Sequence, residues 1–553
     1  MTDANAEPVE VEVRTAGGVT LRADLFLPAG TPCPLLVAAS PYQKALRHLP
    51  VHPAFPFRET GPIGFYVEHG YAYLWLDVPG SGRSEGTWEP VSRAEGEAIA
   101  EVVEWAAAQD WCTGDVGMIG QSYFCWSAWN VARVGAEHLR TIVAFDGSTD
   151  LYRDWMYRGG IPDLGFGTSW AATVMLQHQA TGHPIDGGDR DRFVPDMYRH
   201  PLDDAWHRTR SPFWELDSVT IPVLSIGSWI KGPLHLRGNV EGFRRVAGPR
   251  ALLVLAARSP NEVQSLYASE EFHAREIMPW YDRYLKGAAP EPPATPGSVR
   301  VQVNRSGVLR HYDAWPPRQT IEAVWHLTGR PSGTTRSLND GSLTEGAAHA
   351  EEDLASTSWS YPYPRWRVGT TVIDDRGAPD HVGGVLTFTS PPMEADREFT
   401  GDGYLSLYCS TDQTDMDVVV RLAVLGDAPV GGGAAAERVT QGWLRASHRE
   451  EDAFLSTPMR PFHSHRRLSP VEPGQVYELR IALLPMSFLV RAGERLRLEI
   501  SNGDSPLTEG RLFQWYGLKA GTDTYYHSPT HPSRLHLPEQ RTPAASLGAA
   551  DRS

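Results

Sequence analysis

The spacing of hydrophobic and polar positions changes about halfway along this chain. In the first half, short apolar runs end in loops and alternate with stretches of helical spacing. Ile99, Val102 and Val103, for example, share one face of a helix predicted over residues 92–109. The alternation predicts an α/β fold with a mostly parallel sheet and helices on both faces. The predicted strands lie within residues 9–27 (a pair), 34–39, 71–76, 116–119, 141–145, 221–226 and 251–256.

One long stretch, residues 150–215, interrupts this alternation. It is rich in Trp, Tyr, Met and Gly, and it shows helical spacing near 167–179 and 188–200. In open α/β sheets, ligands bind outside the carboxyl ends of the strands. We therefore predict a helical cap inserted over that edge of the sheet.

The pattern changes again after Gly287. Residues 288–297 are Pro-rich and predict a linker. Short strands of alternating polarity then follow, and they predict a C-terminal β-sandwich of the jelly-roll kind. These strands lie at residues 299–303, 404–409, 417–425, 477–483 and 495–500, with a low-complexity loop at 431–436. The predicted domains are core residues 1–149 and 216–290, cap residues 150–215, sandwich residues 291–540 and a disordered tail over 541–553.

Composition narrows the function further. The chain of 553 residues is too long for one hydrophobic core. Its 67 acidic residues exceed 51 basic ones, and no block of Lys or Arg occurs, so we expect neither nucleic acid nor membrane as a partner. No secretory signal and no apolar run of about 18 residues is found, which predicts a cytoplasmic location. Four scattered cysteines predict neither a metal site nor a disulfide scaffold, and we expect no cofactor.

The hexapeptide Gly120-Gln121-Ser122-Tyr123-Phe124-Cys125 carries the strongest chemical signal. It lies between a predicted strand and a predicted helix, which is the context of the nucleophile elbow G-x-S-x-G. Such a turn raises the hydroxyl of its serine above the sheet. Cys125 stands where the motif has its last glycine, so a small residue is kept at that position.

Several further segments resemble the CocE/NonD hydrolases, the cocaine-esterase and Xaa-Pro dipeptidyl-peptidase-like branch of the α/β-hydrolases. The match extends over about residues 10 to 530. It implies a hydrolase core, a helical cap and a jelly roll. The matching segments are Ser40-Pro41-Tyr42-Gln43-Lys44, the loop from Asp77 to Gly86, Val103-Glu104-Trp105, Asp110-Trp111, the helix end from Trp280 to Gly287, and Gly442-Trp443-Leu444-Arg445-Ala446-Ser447-His448-Arg449.

The resemblance assigns roles to three residues. It implies that Ser122 is the nucleophile and that the hydroxyl of Tyr42 helps to form an oxyanion hole. The second donor would be the backbone N–H of Tyr123. Such donors stabilise the negative oxygen of a tetrahedral intermediate.

The catalytic acid and histidine implied by the resemblance are not found. In the loop after the strand at 221–226, Lys231 or a neighbour stands where the acid is expected. The loop at 257–267, where the histidine is expected, contains no His, and Glu262 is its one plausible proton acceptor. A serine hydroxyl needs a base within reach, and that base needs an orienting acid. The sequence therefore predicts a degenerate triad.

Substitutes for the base and the acid remain open. His235 lies in the loop of the expected acid and could approach Ser122, although its surroundings also fit a structural helix start. Asp146 and Asp150, after the strand that follows the elbow, could supply a rearranged acid. Other histidines, at 178, 183, 273 and 448, are interpreted as structural.

Three functions compete at this point. The first is ester or amide hydrolysis through Ser122. The second is a non-hydrolytic reaction, such as an addition, a cyclisation, a lyase step or C–C coupling on an aromatic or polyketide-like natural product. The third is ligand binding by a pseudoenzyme. The expected partner is a small molecule, for which an aromatic compound is one candidate, and a homodimer stays open. The predicted substrate-binding residues are Trp155, Tyr157, Trp170, Trp229 and Lys231.

Overall fold

The computed structural model describes residues 7–47, 59–183, 185, 192–288, 295–346, 355–426, 436–514, 517 and 519–540. The described residues fall into two compact units. The first takes in the described parts of Met1–Val301, Leu309–Asp313 and Glu509–Trp515. The second takes in those of Gln302–Val308, Ala314–Thr508 and Tyr516–Ser553.

A ten-stranded sheet forms the centre of the first unit. Its strand order is β1-β2-β4-β3-β5-β6-β9-β10-β11-β12, and the pairs from β4 to β11 are parallel. The order reverses at β3, which lies between β4 and β5, so the crevice for a ligand opens at the ends of β3 and β5. The strands are β1 (Val9–Arg14), β2 (Thr20–Phe26), β3 (Cys33–Ser40), β4 (Ala72–Asp77), β5 (Cys112–Gln121), β6 (Leu139–Phe145), β7 (Tyr157–Arg158), β8 (Ile161–Pro162), β9 (Val223–Ser228), β10 (Arg250–Leu255), β11 (Val299–Gln302) and β12 (Leu309–Tyr312), of which β7 and β8 form a separate hairpin.

Helices connect these strands, as the sequence predicts. The helix predicted over 92–109 is α2, and Ser92 caps it by accepting a hydrogen bond from the N–H of Glu95. None of the described helices is long and apolar enough to cross a membrane. The helices are α1 (Ile63–Glu68), α2 (Arg93–Ala107), α3 (Tyr123–Val134), α4 (Phe166–Ala180), α5 (Phe193–Arg199), α6 (Ala205–Arg208), α7 (Arg237–Arg245), α8 (Pro260–Tyr267), α9 (Glu270–Phe272) and α10 (Met278–Leu285).

The helical insertion between β6 and β9 is confirmed. Helix α4 covers the first predicted stretch, and α5 covers the described part of the second, since residues 186–191 lie outside the described residues. The indole N–H of Trp170 on α4 donates to the hydroxyl of Tyr42, which follows β3. The cap therefore lies over the carboxyl end of the sheet.

The second unit is a β-rich domain that fits a sandwich. Its largest sheet is mostly antiparallel, and buried residues such as Phe399, Leu405 and Val420 fill its core. It takes in residues 506–508 of the short helix α11 (Pro506–Glu509). Its strands are β13 (Thr320–Thr328), β14 (Gly341–Thr344), β15 (Ser356–Tyr361), β16 (Trp366–Val368), β17 (Thr371–Ile373), β18 (Pro379–Asp380), β19 (Leu386–Thr389), β20 (Arg397–Gly401), β21 (Tyr404–Thr411), β22 (Asp417–Leu425), β23 (Ala436–Arg445), β24 (Tyr477–Ala482), β25 (Met486–Val490), β26 (Arg495–Ser501), β27 (Gly521–Tyr526) and β28 (Arg534–Gln540).

One strand predicted for the sandwich belongs to the first sheet. The strand predicted at 299–303 is β11, which pairs in parallel with β10. Its alternation is misleading because Arg300, the polar position, is itself buried and pairs with Glu276 at 2.8 Å. Residues 289–294 of the predicted linker, 431–435 of the predicted loop and the tail 541–553 lie outside the described residues, and the exact domain boundaries stay predictions.

The glycine missing from the elbow motif is compensated by a glycine in the segment that follows the neighbouring strand β6. Cys125 is fully buried on α3, directly against Gly147 in the segment after β6. A Cβ at Gly147 would lie 2.0 Å from the Cys125 sulfur, so even a methyl group cannot fit there. Glycine at 147 therefore makes the room that Cys125 requires.

We expect Gly147→Ala to lower the free energy of unfolding by about 2 kcal/mol, because an added methyl overpacks the contact with Cys125. Chemical denaturation measures this cost. In a Cys125→Gly background the cost should fall by about 1 kcal/mol or more, since the clashing sulfur is absent. Gly30→Ala is the control, because a Cβ at Gly30 meets nothing within 4 Å. Equal costs of Gly147→Ala in both backgrounds would contradict this packing.

Candidate active site

Ser122 occupies a strained turn between β5 and α3. Its φ of 60° and ψ of −113° lie where L residues are rarely found. The backbone is held there because the Ser122 N–H donates to the carbonyls of Phe145 (3.2 Å) and Asp146 (3.0 Å) on the neighbouring segment. Strain of this kind persists only where surrounding contacts enforce it. The nucleophile elbow predicted from the sequence is confirmed as a local structure.

His235 is the histidine that reaches the serine. It lies in the helical turn Gly232–Leu236, shortly after β9, and its side chain is buried. Its Nε2 is 3.3 Å from the Ser122 hydroxyl oxygen. The alternative that the sequence left open, a histidine donated by the loop of the expected acid, is therefore the arrangement found.

The surroundings of His235 favour a neutral ring. Burial lowers the pKa of the imidazole well below its usual value, and the positive charges of Lys231 and Arg158 lower that pKa further. Its Nδ1 is buried and has no hydrogen-bond partner among the described residues. In a Ser-His-Asp triad a carboxylate at this nitrogen stabilises the imidazolium. At His235 no carboxylate of the described residues binds this nitrogen, and the nearby cations Lys231 and Arg158 disfavour the imidazolium.

Glu59 is a second neighbour of the serine, and sequence reasoning missed it. Its carbonyl accepts a hydrogen bond of 2.8 Å from the N–H of Gln121, which fixes it beside the elbow. Gln264 Nε2 lies 3.4 Å from its Oε1. Burial raises the pKa of the Glu59 carboxyl to about 8, although Lys231, Gln264 and the Ser122 hydroxyl favour the anion. No motif in the sequence marks this glutamate, and no spacing points to it.

A third ionisable group, Asp146, follows β6. It accepts hydrogen bonds from Ser228 Oγ at 3.0 Å and from Gln121 Nε2 at 3.2 Å. Burial raises its pKa to about 6 against the influence of Lys231. Of the two aspartates considered from sequence, Asp146 lies at the elbow. Asp150 instead binds the Arg153 guanidinium at 3.0 Å and belongs to the packing of the cap.

The predicted oxyanion donors lie on both sides of the crevice. Tyr42 is buried, and its oxygen accepts a hydrogen bond of 2.9 Å from Trp170 Nε1. Burial raises the pKa of the Tyr42 phenol, so its O–H proton is retained for donation. Tyr123 begins α3, where backbone N–H groups have no intrahelical acceptor. The Tyr123 side chain points elsewhere, with its hydroxyl bonded to Glu95 at 2.7 Å.

The predicted substrate-binding residues divide into two groups. Trp170 contacts Tyr42 directly, and Trp229 and Lys231 are half-buried in the turn after β9. Trp155 and Tyr157 are instead packing residues of the cap. The indole of Trp155 binds Ser148 Oγ at 3.2 Å, and Tyr157 stacks on Tyr152.

Glu262 is not a proton acceptor for Ser122, and that prediction is wrong. Its carboxylate is exposed and accepts a hydrogen bond of 2.8 Å from the N–H of Arg258. The reason is local: α8 begins at Pro260, and Glu262 lies in its first turn, where an acid stabilises the helix start. Three of the histidines interpreted as structural also have structural partners: His178 contacts the N–H of Gly82, His273 contacts Tyr66, and His448 contacts His465.

Comparisons with known proteins agree with this architecture. Residues 17–258 match the model of the X-Pro dipeptidyl-peptidase (S15 family), and residues 294–536 match that of the X-Pro dipeptidyl-peptidase C-terminal non-catalytic domain. The cocaine esterase of Rhodococcus sp. (strain MB1 Bresler) is 25% identical, with 97% of this chain and 99% of that protein covered. A putative Xaa-Pro dipeptidyl-peptidase of Streptomyces avermitilis is 22% identical over 87% of this chain and 75% of its own.

Solved structures share the fold over nearly the whole chain. A CocE/NonD family hydrolase from Staphylococcus aureus superposes with a TM-score of 0.78 at 24% identity, covering 96% of this chain and 93% of its own. An α-amino acid ester hydrolase gives a TM-score of 0.71 at 16% identity, with 98% of both chains covered. With its two matched domains, this chain belongs to the CocE/NonD, Xaa-Pro dipeptidyl-peptidase-like hydrolases and is an enzyme of the serine-hydrolase fold.

Proposed function

We propose that this enzyme cleaves an ester or amide bond of a small molecule, with Ser122 as the nucleophile. The observation that carries the proposal is the position of the serine. Its hydroxyl lies on a strained elbow and 3.3 Å from a histidine nitrogen. Strain at such a turn is typical of a functional site rather than of packing.

Tyr42 and Tyr123 complete the site in this proposal. The phenol of Tyr42 and the N–H of Tyr123 donate to the carbonyl oxygen as it becomes negative. Trp170 acts as a positioning residue, because its indole N–H occupies a lone pair of the Tyr42 oxygen and so orients the remaining O–H.

The substrate class follows from the relatives and from the cap. Relatives named cocaine esterase and Xaa-Pro dipeptidyl-peptidase act on ester and amide bonds respectively, which supports a carbonyl substrate. Half-buried Trp229 and the aromatic surroundings of Trp170 favour an aromatic group on it. Lys231 would face a negative or polar substituent. A cytoplasmic location and a homodimer stay predictions from the sequence.

A non-hydrolytic reaction is the second candidate. It is favoured by the environment of His235, whose buried Nδ1 lacks a carboxylate and whose imidazolium is opposed by Lys231 and Arg158. In that case the serine, the tyrosine and the neutral histidine would hold a substrate carbonyl by hydrogen bonds, and no acyl-enzyme would form.

Labelling with a fluorophosphonate probe separates the two candidates. We expect one adduct per chain by intact mass, and we expect Ser122→Ala to abolish it, because only an activated serine attacks phosphorus rapidly. Ser127→Ala, which removes a fully buried serine hydroxyl further along α3, is the control and should label normally. A folded wild-type protein that stays unlabelled would refute the hydrolytic proposal and leave the non-hydrolytic one.

Replacing the tyrosine tests the oxyanion hole. We expect Tyr42→Phe to lower kcat/KM for a chromogenic ester, or the probe-labelling rate, by about 100-fold, since one donor to the oxyanion is lost. Tyr408→Phe, which changes a half-buried tyrosine of the second unit whose hydroxyl donates to Glu478, is the control and should have no effect. A Tyr42→Phe variant with unchanged rates would exclude the phenol as a donor.

A further inference from the structure

We propose that Glu59 is the catalytic base that takes the proton of Ser122, while His235 stays neutral and orients the serine hydroxyl. This inference rests on the proposed function. It assigns a catalytic role to a residue outside every motif that the sequence offers, and it explains how a site of this fold can operate with Lys231 at the position expected for an acid.

The position of Glu59 supports this role. Its backbone carbonyl accepts a hydrogen bond of 2.8 Å from the N–H of Gln121, directly before the serine, and the Ser122 hydroxyl is among the groups that lower the pKa of its carboxyl against the effect of burial. Its Oε1 lies 3.4 Å from the amide nitrogen of Gln264. Its Oε2 is buried and has no hydrogen-bond partner among the described residues. A buried carboxylate oxygen in this state is available to accept a proton.

The charges at the site decide between the two candidate bases. Lys231 acts on both groups with opposite results: its positive charge favours the Glu59 carboxylate and opposes the His235 imidazolium. Arg158 adds to the second effect. In a buried site such interactions are weakly screened. Lys231 therefore favours the ionised, basic form of Glu59 and opposes the protonation of His235.

The proton balance of the reaction closes with Glu59 alone. As Ser122 Oγ bonds to the carbonyl carbon, its proton passes to the Glu59 carboxylate, and the carbonyl electron pair moves to the oxygen held by Tyr42. The bond to the leaving group then breaks, and the leaving alkoxide or amine takes the proton from Glu59. Water adds to the acyl-serine in the same way, and the proton it gives to Glu59 returns to Ser122 as the carboxylic acid departs.

With Glu59 as the base, the reaction rate should depend on pH in a specific way. A base must be ionised to act, and the pKa of Glu59 is raised to about 8, so the rate should rise with pH through about 8 and then level off. Among the described residues, the charges of Lys231 and Asp146 act on the pKa of Glu59. The charge of Glu59 in turn acts on the pKa values of Tyr42, Cys125 and Tyr267. His235 contacts the same serine.

The test measures the rate of fluorophosphonate labelling of the full chain between pH 6 and 10. We expect the wild-type rate to rise with a single ionisation near 8. Glu59→Gln should lower the rate at pH 9 by about 100-fold or more and remove the rise, whereas His235→Asn should keep it. Glu262→Gln, an exposed glutamate bonded to Arg258, is the matched control and should behave as wild type.

Three results would overturn the inference. A Glu59→Gln variant that labels with the wild-type rate and pH profile would exclude Glu59 and leave the hydrolytic proposal standing. Loss of the rise in His235→Asn, with Glu59→Gln unaffected, would make the histidine the base. A wild-type protein that does not label at any pH would instead refute the hydrolytic proposal itself, and this inference with it.

A thermal melt separates catalysis from a structural role of Glu59. The pKa of this carboxyl is raised on folding, so its burial costs stability as pH rises above the unfolded-state value, and the full cost is present above about 8. We therefore expect Glu59→Gln to raise Tm at pH 9 and to leave it unchanged near pH 4. A lower Tm at pH 9 would mean that the carboxylate is a structural partner of Lys231.

Discussion

The turn at Ser122 is the constraint around which the first unit is arranged. Its positive φ is enforced by two hydrogen bonds to the last residue of β6 and the residue after it, so the end of β5 cannot relax without breaking contacts with its neighbour. The same crowding reaches Gly120, where a Cβ would lie 2.1 Å from that of Phe124, and Gly147, which faces Cys125. Catalytic geometry and core packing are therefore parts of one local structure.

Electrostatics then determines what chemistry this turn can perform. Three ionisable groups, Glu59, Asp146 and His235, are buried around one lysine. Burial makes each of them resist its charged form, and Lys231 helps only the two carboxyl groups. The identity of the residue at position 231 thus decides which side of the serine can receive a proton. This dependence is a property of the cluster rather than of any single residue in it.

The sequence was sufficient to predict those parts of the molecule whose structure depends on neighbouring residues in the chain. The parallel strands, the elbow and the helix α4 follow from periodicity and from one hexapeptide, because each is determined by neighbours in the chain. Ser122 could be found from that hexapeptide, whereas Tyr42 was indicated by the family resemblance of the segment from Ser40 to Lys44. Arg300 misled the assignment of its strand because a buried ion pair has the same polarity in sequence as an exposed position.

Glu59 and Glu262 show why the remainder of the site could not be predicted. Glu59 lies in a turn and Glu262 in the first turn of α8, and no spacing in the sequence distinguishes them. One is exposed beside Arg258, and the other is carried to the serine by a backbone hydrogen bond to Gln121. That difference depends on contacts between residues about 60 positions apart in the chain, and only the tertiary structure contains it. His235 is an intermediate case. The sequence indicated the loop that contains it, but only the structure shows that its ring lies beside the Ser122 hydroxyl.

The cluster around Lys231 limits what a substitution at this position can achieve. An aspartate introduced at position 231 would not by itself give the enzyme a conventional triad. It would remove the cation shared by Glu59 and Asp146 and place a third acid beside two that already resist ionisation. A conventional triad would also require a neutral residue in place of Glu59 and an acid beside His235 Nδ1. The charges of this buried cluster therefore depend on one another, and no single substitution at position 231 gives a conventional triad.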